Sequence, residues 1–334
     1  MKIDELKEKL KGEKNAFPYF RGLIEKNQFF INDAQRDLDD DHHSALMFNR
    51  EIKDVFGINN DKFDECYKAV ANGEGHESSK IKSIRSSSLL GLLTFYKIHL
   101  GNNMVFSTKI NDDTKETEFC FNEVVFEKTN RVFHPSLGLS SIDIALYGTA
   151  NGKNKCVLYL ESKFTEYLEK KDMKKSISRN RADKYPISKK YADYYKEIMR
   201  DYPFLKVNIE DNGIELEGKD KQHYCEGIKQ MISHYIGAKN SEDLYKGLKV
   251  YLGTILYDFK PTDVVEHEVD HDGEKLKDYM ACYTALAKRL NKIPNKSSDL
   301  VVIETPFTYH DFFAKLKNYE LDDSVKRYYS LYPL

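Results

Sequence analysis

At 334 residues, with 40% hydrophobic and 32% charged side chains, the chain has the make-up of a globular protein: one large domain, or one domain with an appendage. A formal charge of −2 excludes a histone-like polycation but leaves room for a local basic groove. No apolar run reaches the roughly 18 residues of a membrane span, and the first residues lack the apolar centre of a secretory signal, so a cytoplasmic protein is expected.

In chain order, residues 1–80 are charge-rich and patterned like helices, and are expected to form an N-terminal helical accessory region. "KIDELKEKLKGE" places Ile3, Leu6 and Leu10 at helical spacing before Gly12. "DAQRDLDDDHHSALMFNREIKDVFGI" carries Leu46, Met47, Ile52, Val55 and Phe56 in a similar pattern, and a helix ending at Gly73 follows. From residue 81 the texture changes. "SIRSSSLLGLLTFYKIHL" (Ser83–Leu100) predicts an apolar helix with a serine cap, packed on a sheet. Strands are predicted near 118–128, 140–148 and 155–164, the last two joined by the hairpin turn "GTANGKNK". A charged, mostly helical insertion is expected near 165–222. A helix at 224–240 ending near Gly237, a strand at 247–259, an amphipathic helix and a strand at 299–309 complete the chain. The expected fold class is α/β, with a central mixed sheet flanked by helices and its last strands joined by right-handed crossovers. Cys66, Cys120, Cys156, Cys225 and Cys282 are scattered without a CxxC pair, which argues for reduced thiols, not a zinc site or a disulfide framework.

The residues that carry chemistry cluster where an apolar strand surfaces. In "VLYLESKFTEYL" a buried-looking run ends in Glu161-Ser162-Lys163. Asp143 sits in "SSIDIALYG" between Ile142 and Ile144. Period-2 alternation puts Asp143 on the face opposite both isoleucines, and Glu161 and Lys163 together on one face of the next strand. A hairpin then sets Asp143 across from Glu161 and Lys163. Two carboxylates so close repel each other and call for a cation. Hard oxygen ligands suit Mg²⁺ or Mn²⁺, with the Ser162 backbone carbonyl as a third ligand. Lys163 would then orient or deprotonate a water. An isolated Glu-x-Lys is ordinarily a salt-bridged strand end; the aspartate in an apolar strand and the hairpin add the weight.

Asp143, the hairpin and Glu161-Ser162-Lys163 resemble the D…(D/E)xK signature of the PD-(D/E)XK, or restriction-endonuclease-like, nuclease superfamily. The resemblance covers about residues 81–310. "RSSSLLGLLTF", "SSIDIALYG" and "YLESKFTEYL" are similar to a bacterial group of restriction endonucleases. It implies a restriction-endonuclease-like core and a Mg²⁺-dependent endonuclease acting on double-stranded DNA. Asp143 and Glu161 would hold the metal and Lys163 would serve catalysis. There are two departures. Ile142 stands where the family usually has proline, with Pro135 well upstream. The first helix lacks the further glutamate often found there, and Glu123 or Glu127 on the preceding strand is expected to substitute.

For DNA contact, "EKKDMKKSISRNRADKYPISKK" offers nine Lys or Arg against three acids. Lys174, Lys175, Arg179 and Arg181 are its candidates, with a solvated charged surface as the other reading. Lys229 and Gln230 on the 224–240 helix are candidates to face the site, with a surface or packing role as the other reading for Gln230. Some exonuclease branches carry Gln-x-x-x-Tyr there; here His234 follows Gln230, which does not support that branch. Ser87 and Ser88 are expected to cap their helix, with phosphate contact at the helix start as the other reading. The clusters "DLDDDHH" and "EHEVDHD" lack HExxH spacing and read as exposed surface. A cut through both strands calls for two active sites, hence a homodimer. The alternatives left open are an inactive DNA-binding module of the same fold, a nuclease acting on RNA or in DNA repair, and a protein in which Glu161 and Lys163 merely bridge.

Overall fold

Asn151 and Gly152 both take left-handed backbone, φ 53° and 69°, the conformation that a tight hairpin asks of its turn. The strands on either side pair antiparallel from Ala150↔Asn154 to Ile144↔Leu160, so the predicted hairpin forms. The computed structural model describes residues 34–36, 46–48, 50–73, 81–83, 86–111, 114–132, 139–164, 200–208, 213–216, 227–258, 274–294 and 296–329. The predicted first helix, the basic run with Lys174, Lys175, Arg179 and Arg181, and both histidine–acid clusters lie outside the described residues.

In chain order the elements are β1 (Ala34–Arg36), β2 (Leu46–Phe48), α1 (Ile52–Phe56), α2 (Asp61–Ala71), α3 (Ser87–His99), β3 (Met104–Lys109), β4 (Glu116–Arg131), β5 (Leu139–Ala150), β6 (Asn154–Lys163), β7 (Leu205–Asn208), β8 (Gly213–Leu216), α4 (Gly227–Lys239), α5 (Glu242–Tyr245), β9 (Lys249–Leu256), α6 (Glu274–Asn291), β10 (Leu300–Val302), β11 (Phe307–Thr308), α7 (Tyr309–Ala314), β12 (Leu316–Lys317) and α8 (Asp323–Tyr329). Eight strands form one mixed sheet in the order β10-β9-β6-β5-β4-β3-β12, with β11 also on β9. From β12 to β6 neighbours run antiparallel; β6–β9, β9–β10 and β9–β11 are parallel. The protein is thus α/β with a central mixed sheet flanked by helices.

Each face of the sheet buries its own core. On one face α3 is apolar all round, the pattern of a helix covered on every side. Leu89, Leu90, Leu92, Leu93 and Phe95 are all at most 1% exposed, each contributing about 2 kcal/mol by burial. Ser86 caps this helix, its hydroxyl accepting from Leu89 N–H at 3.1 Å, so the serine-rich entry is a cap, one residue before Ser87. Phe63 of α2 meets Tyr96 of α3 edge-on at 5.1 Å between centroids, and Phe48, Ile52 and Val55 join the same core. On the other face α4 and α6 cover β5, β6, β9 and β10 through Met231, Ile232, Tyr235, Leu286 and Leu290.

Several expectations are corrected. Residues 34–36 and 46–48 are not helical: they pair antiparallel, Ala34↔Phe48 to Arg36↔Leu46. The chain thereby buries Phe48 against Phe56, 5.9 Å between centroids; adjacent Leu46 and Met47 fit a strand as well as a helix. The described part of the 165–222 insertion includes an antiparallel pair, β7–β8, where helix was expected. Strand β3 was not anticipated. The 299–309 segment is two short strands, β10 and β11, not one. Helix α4 does not stop at Gly237 but runs to Lys239. Gly237 lets it approach β5, since a Cβ there would sit 3.0 Å from Ser140 Cβ and 3.2 Å from Asn130 Cβ.

The β4–β5 ladder shifts register between Phe121 and Glu123. Beside that irregularity, a Cβ on Gly148 would lie 1.9 Å from the Cys120 carbonyl oxygen, which is backbone and cannot rotate away. Gly148→Ala is therefore expected to destabilise the fold by about 3 kcal/mol, measured by urea unfolding. An unchanged midpoint would contradict this account of the bulge.

Candidate functional site

The site is built where the β5–β6 ladder ends. The last paired residues are Ile144 and Leu160; one step on, Asp143 stands opposite Glu161. Instead of continuing the ladder, Asp143 Oδ2 accepts from Ser162 N–H at 2.7 Å. On the other side of β5, the pairs Phe126↔Ile144 and Lys128↔Ile142 bracket Glu127 and Asp143. Glu127, Asp143 and Glu161 therefore occupy one row across β4, β5 and β6, and the row continues to Thr254 on β9.

The alternation expected around Asp143 does not hold. Ile144 is buried in the α3 core, while Ile142 is buried in the α4–α6 core. Glu127 takes a left-handed backbone, φ 51°, opposite Asp143. Both strands are thus irregular at this row, and the two isoleucines do not share a face.

Glu161 and Lys163 do share one. Both are almost covered, 6% and 8% exposed, and Lys163 Nζ donates to Glu161 Oε1 at 2.7 Å. Helix α4 supplies the rest. Gln230 Nε2 donates to Glu161 Oε1 at 2.9 Å, and Lys163 Nζ donates to Gln230 Oε1 at 2.8 Å. His234, one turn further along, bonds Glu161 Oε2 through Nε2 at 2.8 Å and Ser140 Oγ through Nδ1 at 2.6 Å. Ser162 between them points to the opposite face. Its hydroxyl donates to the Ser87 carbonyl at 2.9 Å, so the Tyr309 hydroxyl, 2.7 Å away, is the donor to Ser162 Oγ. The middle residue of the tripeptide is thereby fixed to α3 and α7.

These partners set the charges apart. Burial alone would raise the Glu161 carboxyl, but Lys163 and His234 outweigh it and hold it at about 2. Asp143 goes the other way. Its carboxyl bonds Ser162 N–H, and burial, then the Glu161 charge, push it well above the usual carboxylate range; Glu127 adds to this, while Lys163 and the Ser162 N–H oppose it.

Of the expected site residues, the structure brings together Asp143, Glu161, Lys163, Gln230 and Glu127. Glu127 accepts from the Ser141 hydroxyl at 2.7 Å. Glu123 is not brought there: it is exposed and pairs with Tyr147, four residues along β4. Lys229 lies on α4, with its side chain outside the described residues. His234 and Ser140 were not anticipated; the only sequence signal for His234 is its spacing of four from Gln230 on one helix.

A cleft of about 260 Å³, counted with the solvent open to it, borders Glu161, Lys163, Gln230, His234, Thr254, Tyr279 and Tyr283. Asp143 does not line it. Among the described residues no three His, Cys, Asp or Glu side chains are grouped to hold a metal ion on their own. The row offers the Glu127, Asp143 and Glu161 carboxylates as oxygen donors. Carboxylate oxygens on neighbouring strands are the hard donors that suit a cation keeping several of its waters. Comparisons of the chain with protein-family models, with curated proteins and with solved structures find no match.

Asp143 gives a pH test. A carboxyl whose folded pKa is raised favours folding fully below its unfolded value and costs stability as pH rises through the folded one. Asp143→Asn keeps an oxygen for Ser162 N–H and carries no charge. Without divalent metal it is expected to raise the melting temperature at pH 7, with the gain fading toward pH 4. A lower melting temperature at pH 7 would contradict the assigned strain.

Proposed function

We propose that the chain is a Mg²⁺- or Mn²⁺-dependent endonuclease of restriction-endonuclease-like architecture that hydrolyses phosphodiester bonds in double-stranded DNA, a restriction enzyme being the role that fits. The observation that carries this reading is the row in which Asp143 meets Glu161 at the end of the β5–β6 hairpin, with Lys163 bonded to Glu161. Further support comes from the sheet, an antiparallel meander leading into parallel strands, with helices on both faces.

When bound, a divalent cation supplies an acidified water and neutralises charge on the scissile phosphate. The chain's own residues do the rest. Asp143 and Glu161 hold the cation's position, with the Ser162 backbone fixed between them. Lys163 orients the attacking water, or stabilises the negative charge that develops on the phosphate oxygens. Gln230 keeps the ammonium from turning away, since it accepts from Lys163 while donating to Glu161. The basic run containing Arg179 and Arg181 would grip phosphates flanking the cut, and a homodimer would supply the second active site.

One observation favours a second reading, a DNA-binding module of the same architecture without catalysis: Glu161 already accepts three hydrogen bonds, which makes its pair with Lys163 self-sufficient.

Supercoiled plasmid incubated with Mg²⁺ separates the two. The wild type is expected to linearise it, with EDTA abolishing cleavage. Glu161→Gln and Lys163→Gln should each cut about 100-fold more slowly or worse. DNA retarded in a gel but never cut would favour the binding module, and equal cleavage by wild type and both variants would remove these residues from the chemistry.

A further inference from the structure

His234 is buried, bonded at both ring nitrogens, and unused by the chemistry above. Among the described residues, Glu161 takes Lys163 and Gln230 on Oε1 and His234 alone on Oε2. A carboxylate has about four acceptor directions on its two oxygens, so one remains, on Oε2 beside the histidine.

The ring's orientation follows from its partners. An ionised Glu161, already taking Lys163 and Gln230 on Oε1, can only accept, so His234 Nε2 carries the hydrogen. Nδ1, on the far side of the ring, is bonded to the Ser140 hydroxyl at 2.6 Å. In an open cleft, Ser140, His234 and Glu161 would resemble an acyl-transfer relay. Here Ser140 is 4% and His234 5% exposed, and Ser140 does not border the cleft, so its hydroxyl orients the ring and attacks nothing. Gly237, with its close approach to Ser140, is what brings this helix face near enough to β5.

We infer that His234, oriented by Ser140, is a positioning residue that turns the Glu161 carboxylate so that a single acceptor direction on Oε2 is presented to a divalent cation. The inference rests on the metal-dependent reading above. Outer partners of this kind typically change metal affinity about 10- to 100-fold when removed.

The test is Mn²⁺ binding to the whole chain by titration calorimetry, without nucleic acid. His234→Gln keeps an N–H donor for Glu161; His234→Asn reaches Ser140 but stops short of Glu161. The wild type is expected to bind Mn²⁺, His234→Gln to retain most of the affinity, and His234→Asn to lose about 10-fold or more. Ser140→Ala, which frees the ring, should fall between them and serves if His234→Asn does not fold by circular dichroism. A wild type that binds, with Asn as tight as Gln or Ser140→Ala unchanged, overturns the positioning role alone. A wild type that takes up no Mn²⁺ overturns the metal reading and this inference with it.

Discussion

The structure turns on one buried charge. Taking an ionised carboxylate out of water costs several kcal/mol unless donors replace the lost hydration. Glu161 lies in the central sheet, between β5 and β9 and under α4, and is only 6% exposed, so most of that replacement must come from the protein. The replacement comes from Lys163 two residues along the same strand, and from Gln230 and His234 on successive turns of α4. That demand fixes how α4 docks. Its polar face must point into the sheet at one end, while Met231, Ile232 and Tyr235 bury beside it. The close approach at Gly237 then brings Ser140 to His234.

The same arrangement holds two carboxylates in opposite states. Glu161 is kept ionised and Asp143 is pushed toward neutrality, although the two are one residue step apart across the hairpin. Pairs of titratable groups whose surroundings drive them apart are a mark of sites built for chemistry. A fold selected only for stability has little reason to keep Asp143 beside Glu161 and in the same row as Glu127. The Ser162 backbone, fixed through its side chain to Ser87 and Tyr309, keeps the two acids from moving apart to relieve the repulsion.

Much of this was legible in the sequence, for identifiable reasons. Strands β4, β5 and β6 announce themselves by β-branched and aromatic runs around an Asn-Gly turn, whose backbone demands are local. Helix α3 is legible because continuous apolar residues after three serines leave few alternatives. The meeting of Asp143 with Glu161 follows from hairpin register alone. What escaped depends on contacts distant in sequence. The short Met104–Lys109 segment, with Ser107 and Thr108, becomes a strand because β4 and β12 pair with it. The left-handed backbone at Glu127 is not marked by anything in "FNEVVFEK", nor is the change of phase around Asp143 marked in "SSIDIALYG". His234 looks like any helix histidine until Ser140 and Glu161 arrive from ninety-four and seventy-three residues away.

The central claim is that Asp143 and Glu161 share one divalent ion. Crystals grown with Mn²⁺ test it directly through an anomalous difference map at the manganese edge. The account predicts one strong peak about 2.1 Å from an oxygen of each carboxylate, on the Oε2 side of Glu161. A map empty at this row, with Asp143 still bonded to Ser162 N–H and Glu161 still closed on Lys163, would contradict it.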